Sequence, residues 1–300
     1  MTQHVFPSRR WVVDEPRFLE LQPCLWVEVV ELVAECFFWH VRDGLGWRLR
    51  LGRIVTWLPC AGYNSGVVNA ELKRKAERVQ RTLLKTYGQP VWRKPLPPLD
   101  ELVSTILSQN TNDRNRDRAF NALRSAFADW SGVRDAPTEA VITAIRPAGL
   151  ANQKGPRIQQ VLRQITAERG ELSLKFLGRL PLEEARQWLL RFKGVGPKTA
   201  AIVLLFALRR PAFPVDTHVH RVTGRLGLRP RKMSADLSHP HLEAVFRRQH
   251  YYAAHMNLIR LGREICRARR PRCPECALSN LCDYWNVARA STPDAGRDEA

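Results

Sequence analysis

A lysine and four cysteines are the side chains in this sequence whose type and spacing could do chemistry. Lys198 ends the run KGVGPK, in which Gly194 and Gly196 let the backbone turn sharply. Pro197 suits the first position of a new helix, where its missing N–H has no intrahelical partner to lose. Lys198 then falls in that helix's first turn. A helix start with bare N–H groups attracts phosphate, and a lysine held among those partial positive charges is pushed towards its neutral, nucleophilic form. The pattern predicts a reactive amine beside a nucleic-acid backbone, with Gly194, Val195 and Gly196 facing the phosphates. The simpler alternative is a surface phosphate contact.

Cys266, Cys273, Cys276 and Cys282 form C-x6-C-x2-C-x5-C within seventeen residues, and no other cysteine follows Cys60. Four thiolates this close in sequence have the count needed to enclose one metal centre. A disulfide pair is the plain alternative. It fits poorly, because no basic stretch followed by a small-residue cleavage site is found and intracellular thiols stay reduced. Zinc and iron–sulfur both remain open. Zinc sites more often pair two C-x2-4-C hairpins, and only one such pair occurs here, so the spacing leans towards iron–sulfur. Arg267, Arg269, Arg270 and Arg272 lie between the first two cysteines. A loop pinned at both ends by a metal centre would hold those cations in place for phosphate, whereas a mobile solvated charge run would not.

The elements that must position these groups read as helices. Leu182, Ala185, Leu189 and Phe192 recur at helical spacing before the hairpin, and TAAIVLLFAL after it is apolar enough for a buried helix. Upstream, residues 70–87 favour helix strongly, and Gly88 ends it ahead of a proline-rich link at 90–98. Asp100 opens the next helix, whose Leu102, Val103, Ile106 and Leu107 share a face; the polar run 109–112 interrupts it, and Asp113 caps another containing Phe120, Leu123 and Phe127. Thr138 opens a shorter helix ending near Gly149, and a further one with Ile158, Val161, Leu162 and Ile165 stops at Gly170. No alternating run makes a strand, so the fold class is all-α.

Two loops among these helices carry amide side chains. They are 108–111, with Gln109 and Asn110, and 149–154, which adds an apolar tip at Leu150. Amides can fill the hole left by an extruded base, and an apolar wedge can part a base step. Polar loops between helices more often do nothing but turn.

Charge points the same way as the hairpin. The sequence has 48 Lys+Arg against 29 Asp+Glu, a formal charge of +19 and a pI of about 10.4, in the range of a nucleic-acid footprint. Residues 1–66 hold seven Arg, no Lys and seven Asp+Glu, so the whole excess lies in 67–300. That first stretch also holds five of the nine Trp and lacks the later helical patterning. It reads as an atypical N-terminal extension derived from a misplaced start site, with the working chain beginning near Val67 or Val68. Its competing reading is a short amphipathic helix packed on a neighbour. Glu28, Glu31 and Glu35 argue against residues 24–41 crossing a membrane.

Taken together, FKGVGPKTA, then PVDTHVHRV with eighteen residues from Lys198 to Asp216, then the cysteine pattern, resemble endonuclease III of the helix-hairpin-helix DNA glycosylase superfamily. The likeness covers roughly residues 69–288. It implies a two-lobed fold, with a six-helix domain over 100–210 that contains the hairpin, a cluster domain built from 70–99 and 211–288, and a flexible tail at 289–300. One [4Fe-4S] cluster on the four cysteines is implied, with DNA crossing the cleft and a damaged base flipped into it. Lys198 matches the lysine that attacks the sugar C1′ and forms a Schiff base, after which β-elimination nicks the strand. Asp216 matches the essential aspartate, which stabilises positive charge at the sugar and assists proton transfer; a helix cap ahead of Thr217 is its plain alternative. His218 and His220 read as packing or capping residues. Phe192-Lys193 stands where Leu-Pro is usual, and Pro197 where Arg is frequent, but neither change removes a reacting group. The family's Ser-Ala-Gln-Ala-Thr is Ser-Gln-Asn-Thr here, which places Asn110 at the position of the duplex-filling glutamine with Gln109 as a close substitute. Leu150 aligns with the family's wedge.

The expected function is that of a bifunctional base-excision glycosylase and abasic-site lyase acting on oxidised pyrimidines. The expected partner is double-stranded DNA with damaged bases or abasic sites, bound by a monomer without a membrane. A bacterial cytoplasm beside the nucleoid, a nucleus or a mitochondrion would each suit it. A monofunctional mismatch glycosylase and a non-catalytic DNA-binding protein are the alternatives. In every case duplex affinity is expected to fall steeply with salt, because phosphate contacts release counterions. Fluorescence anisotropy across a salt series measures this, and a flat dependence would remove the electrostatic basis.

Overall fold

The computed structural model describes residues 68–290. The expectations for residues 1–66, the 24–41 stretch among them, lie outside the described residues, as do those for the tail beyond Ala290. Among the described residues there are α-helices and short 3₁₀ or π turns, and no strand.

Helix α1 (Ala70–Tyr87) begins where the Asn69 side chain accepts the Leu72 N–H at 2.7 Å and ends at Gly88, whose φ of 77° no β-carbon residue adopts cheaply. Helix α2 (Pro98–Ser108) starts two residues earlier than Asp100, because Pro98 takes the first helical position. Asp100 instead accepts the Trp130 indole N–H at 2.8 Å. Helix α3 (Asp113–Ala126) is capped by Asn112, which accepts the Asn115 N–H at 2.9 Å, and not by Asp113. Asp113 pairs with Arg116 and Arg263. Then come α4 (Trp130–Asp135), α5 (Thr138–Ile145) and α6 (Ala151–Arg169). The second amide loop is thus shorter than expected, since residues 151–154 are the first turn of α6.

Helices α7 (Leu182–Leu190) and α8 (Pro197–Ile202) flank the hairpin, and α8 continues into a π turn, Val203–Ala207. This stretch is apolar on all sides because it runs between two cores. Ala200, Ala201, Val203 and Leu204 pack in one cluster with Leu102, Ile106, Leu123, Ile158, Leu162 and Leu189. Leu205 and Phe206 pack in another, with Val79, Leu83, Phe213, Val222, Leu258 and Leu261. Full burial of each such side chain contributes about 1.5–3 kcal/mol. The second cluster also takes in α9 (Thr217–Arg225), α10 (Ala235–Val245) and α11 (Tyr251–Glu264), and α12 (Asp283–Ala290) closes the described chain.

Side chains from α10 and α11 grip the extended segment that leads into α9. The buried His239 ring meets the Phe213 carbonyl through Nδ1 at 2.9 Å, and the buried His255 ring meets the Pro214 carbonyl in the same way at 2.9 Å. A carbonyl only accepts, so Nδ1 carries the proton in both rings. Glu243 completes the grip by accepting the Phe213 N–H at 2.8 Å, while both of its oxygens accept from Arg186 Nη2 of α7 at 2.9 and 3.0 Å.

Burial pushes both imidazoles down to about 4 from the usual value near 6.5, outweighing the pull of their carbonyl partners. Both rings are therefore neutral in the fold and protonate more readily once it opens. Their contribution is fully present above about pH 6.5 and is lost as the pH falls towards about 4, at roughly 3 kcal/mol for His239. The melting temperature, followed by circular dichroism, is expected to drop across that window, and His239→Gln is expected to make the drop smaller.

Candidate active site

The hairpin is built by burying its ends. Phe192 and Val195 are 1% and 4% exposed and anchor the turn in the first core, and the Val195 N–H donates to the Phe192 carbonyl at 3.0 Å. The Val195 side chain is therefore an internal anchor of the turn. Gly194 has φ 83°, and a β-carbon there would lie 2.4 Å from the Arg157 side chain. Glycine is needed at 194 twice over, for the turn and for the close approach. Gly196, by contrast, is ordinary extended backbone at φ −97°, ψ −178°, with open space around its α-carbon. Only the first of the two glycines uses the freedom that the sequence offered.

Lys198 is exposed in the first turn of α8, directly after Pro197. Asp216 is half-buried at the start of α9, where its Oδ1 accepts the Val219 N–H at 2.7 Å. The helix-cap alternative for Asp216 is thus realised, yet a carboxylate has two oxygens and the cap engages one. The field of the Asp216 carboxylate raises the proton affinity of the His255 ring, and that of Lys198 lowers it. Both groups therefore lie within electrostatic reach of one buried side chain. His218 Nδ1 meets Arg221 at 3.1 Å and His220 Nε2 meets the Met233 carbonyl at 3.0 Å.

The two amide loops converge on the hairpin through α6. Gln109 donates from Nε2 to the Gly194 carbonyl at 2.9 Å, and its Oε1 accepts from Arg157 at 3.1 Å. Its amide is committed to bracing the turn. Asn110 is exposed at φ 52°, and Leu150 is 46% exposed at φ 50°, left-handed backbone that residues with a β-carbon rarely adopt. Of the two amides, Asn110 is the one presented outwards.

The four cysteines line one cavity together with Val222, Leu261 and Ile265. Among the described residues no three His, Cys, Asp or Glu side chains converge tightly enough to hold a single metal ion. Burial, and then the neighbouring sulfurs, push the Cys273 thiol up. Burial likewise raises Cys276 and Cys282. Arg225 donates to Cys266 Sγ at 3.3 Å and to the carbonyls of Arg267 and Ala268 at 2.7 and 3.0 Å. Between the first two cysteines, Arg267, Arg269 and Arg270 are exposed, while Arg272 is tied to Glu275 at 3.0 Å and to the Glu264 carbonyl at 2.8 Å. Arg272 is also exposed but is held by these contacts, which shape the loop.

Several residues that shape the site gave no signal in the sequence: Lys154, Arg157, Arg186, His239, Glu243 and His255. Their partners are main-chain groups or charges far away along the chain, which periodicity does not reveal.

Residues 103–248 match the family described as HhH-GPD superfamily base excision DNA repair protein. A protein of Arabidopsis thaliana described as a DNA glycosylase is 42% identical over 144 residues, covering 48% of this chain and 49% of that one, so the match spans about half of that relative's length. Endonuclease III of Thermotoga maritima is 31% identical over 209 residues, covering 70% of this chain and 92% of that one. A solved structure of a trapped endonuclease III–DNA covalent intermediate superposes with a TM-score of 0.63 at 26% identity, over 72% of this chain and 98% of that chain. With the hairpin, the Lys198–Asp216 arrangement and the shared all-α architecture, these similarities establish that the chain belongs to the HhH-GPD superfamily of base excision DNA repair proteins, as an endonuclease III-like member.

Proposed function

We propose that the protein is a bifunctional DNA glycosylase and abasic-site lyase of base excision repair, with Lys198 as nucleophile and Asp216 as its acidic partner. The observation that carries this reading is the delivery of an exposed lysine at one helix start and a capped carboxylate at another, both acting electrically on His255. In the resulting reaction the Lys198 amine attacks the sugar C1′ and loses a proton as the base leaves with the glycosidic electron pair; the C1′–O4′ bond then breaks, O4′ takes up a proton as the ring opens, and the nitrogen lone pair forms the second C–N bond of the protonated Schiff base. Removal of a C2′ proton then expels the 3′ phosphate and nicks the strand. Asp216 stabilises the positive charge that grows on the sugar. Relatives named endonuclease III and DNA glycosylase/AP lyase support the reaction class.

The partner is duplex DNA carrying a damaged base, and oxidised pyrimidines are the class we favour. The hairpin from Gly194 to Gly196 and the arginines 267, 269 and 270 would contact phosphates, Asn110 would fill the gap in the duplex, and Leu150 would part the step beside it. Cys266, Cys273, Cys276 and Cys282 would hold one [4Fe-4S] cluster. Their common lining of one cavity supports this assignment. Such a cluster supplies a multi-bond cross-link where a small lobe needs one. The division into a 100–210 lobe and a 70–99 plus 211–288 lobe, a monomeric state, and a place beside chromosomal or organellar DNA complete the proposal.

Borohydride reduction during reaction with an oxidised-pyrimidine duplex is expected to trap a covalent protein–DNA adduct, and Lys198→Gln is expected to abolish it. Base release without an adduct would instead mark a monofunctional glycosylase, and no release at all a DNA-binding protein without catalysis. Asp216 separates structure from chemistry. Asp216→Asn should keep the cap and the melting temperature while lowering nicking by about 10²–10⁴-fold. Asp216→Ala should lose the same activity and also about 1 kcal/mol of stability. If the Asn variant nicks at the wild-type rate, Asp216 is only a cap.

A further inference from the structure

Lys154 is the most deeply buried charged side chain described, at 1% exposure, and no carboxylate among the described residues meets it. Its Nζ donates to the carbonyl of Leu107 at 2.8 Å and to that of Ala148 at 2.9 Å. Burial, and then the cation of Arg157, hold its pKa below the ordinary lysine value. A core position filled for packing alone would take a methionine or leucine at far lower desolvation cost.

The two acceptors explain the lysine. Leu107 lies in the last turn of α2, where carbonyls have no intrahelical partner. The other orphans of that turn are met locally: Ser108 Oγ donates to the Thr105 carbonyl, the Gln109 N–H to Ile106, and the Thr111 N–H to Ser108. Leu107 alone is served from another element. Ala148 ends the 3₁₀ turn Arg146–Ala148, a second helical C-terminus that favours a cation. Three residues after Leu107 comes Asn110, and two after Ala148 comes Leu150, the two exposed non-glycine residues with left-handed backbone in these loops. One ammonium thus ties the stems of both loops to the first turn of α6. One helical turn further on, Arg157 ties the first loop to the hairpin through Gln109.

We infer that Lys154 is a positioning residue that locks the Asn110 loop and the Leu150 loop at one separation, so that gap filling and wedge insertion occur as a single event. The inference rests on the proposed DNA-contacting roles of those two residues. A loop free to move by itself would pay its ordering cost separately, whereas two loops sharing one rigid stem pay it once.

The test is a double-mutant cycle on the full-length protein, with affinity for a duplex carrying a tetrahydrofuran abasic-site analogue read by anisotropy. Asn110→Ala and Leu150→Ala are each expected to weaken binding about tenfold, and together by at least about threefold less than the product of the single losses. In a Lys154→Met background, or Lys154→Gln if the methionine variant fails to fold by circular dichroism, the losses are expected to multiply. That change in coupling is not produced by a lysine that merely supports the core, which would lower the melting temperature and leave the cycle as it was. Losses that multiply in the wild-type protein, or a cycle unchanged by the Lys154 substitution, overturn the inference. Single variants that bind as tightly as wild type would instead remove the assigned roles of Asn110 and Leu150 while leaving Lys198 and Asp216 untouched.

Discussion

The ion pair between Arg186 and Glu243 sets the relation between the elements that carry Lys198 and Asp216. Arg186 lies on the helix that leads into the hairpin, and Glu243 on one that grips the segment leading to Asp216. The ion pair therefore joins the approach to the amine with the approach to the carboxylate. Removing Arg186 would leave the Glu243 carboxylate, 19% exposed, without its cation, a loss that typically costs about 3–5 kcal/mol, whereas removing Glu243 would leave Arg186 its second carboxylate, Glu183 at 3.1 Å. An apolar pair of similar volume could hold the helices as firmly. It could not also accept the Phe213 N–H, which would leave that amide unpaired.

The same economy appears around the cysteines. Arg225 holds the start of the loop between Cys266 and Cys273 by its carbonyls, and Arg272 holds the end through Glu264 and Glu275. Two of the basic side chains in this region are thus spent on shaping the loop, and three remain to act outwards. Net charge counts both kinds equally, so +19 overstates what is available to a polyanion.

Much of the fold was legible because local rules and tertiary packing agree. Asn69 and Gly88 bracket the first helix as their chemistry requires, and most of the apolar run after Lys198 is buried between the two cores. The departures come where two residues compete for one role. Pro98 displaces Asp100 at a helix start, and Asn112 displaces Asp113 as a cap, since either neighbour satisfies the same rule. Lys198, Asp216 and the cysteines were visible because their spacing is local. Lys154 was not, because a lysine between an amide and a glycine reads as solvent-exposed, and only the convergence of two distant helix ends makes its burial tolerable. His239 and His255 were hidden for the same reason, each paired with a carbonyl that lies 26 or 41 residues away.

Gly194 bears on how such a protein can adapt to heat. A frequent route to greater stability replaces glycine in turns, so that the unfolded chain has less freedom to gain. Here that route is closed at the position nearest the amine, because the backbone is left-handed and the space above it belongs to the Arg157 side chain. Gly196, extended and unobstructed, tolerates a side chain sterically. Lineages adapting to higher temperature would therefore be free to vary the second glycine of the hairpin while the first stays fixed, unless contact with phosphate holds the second as well.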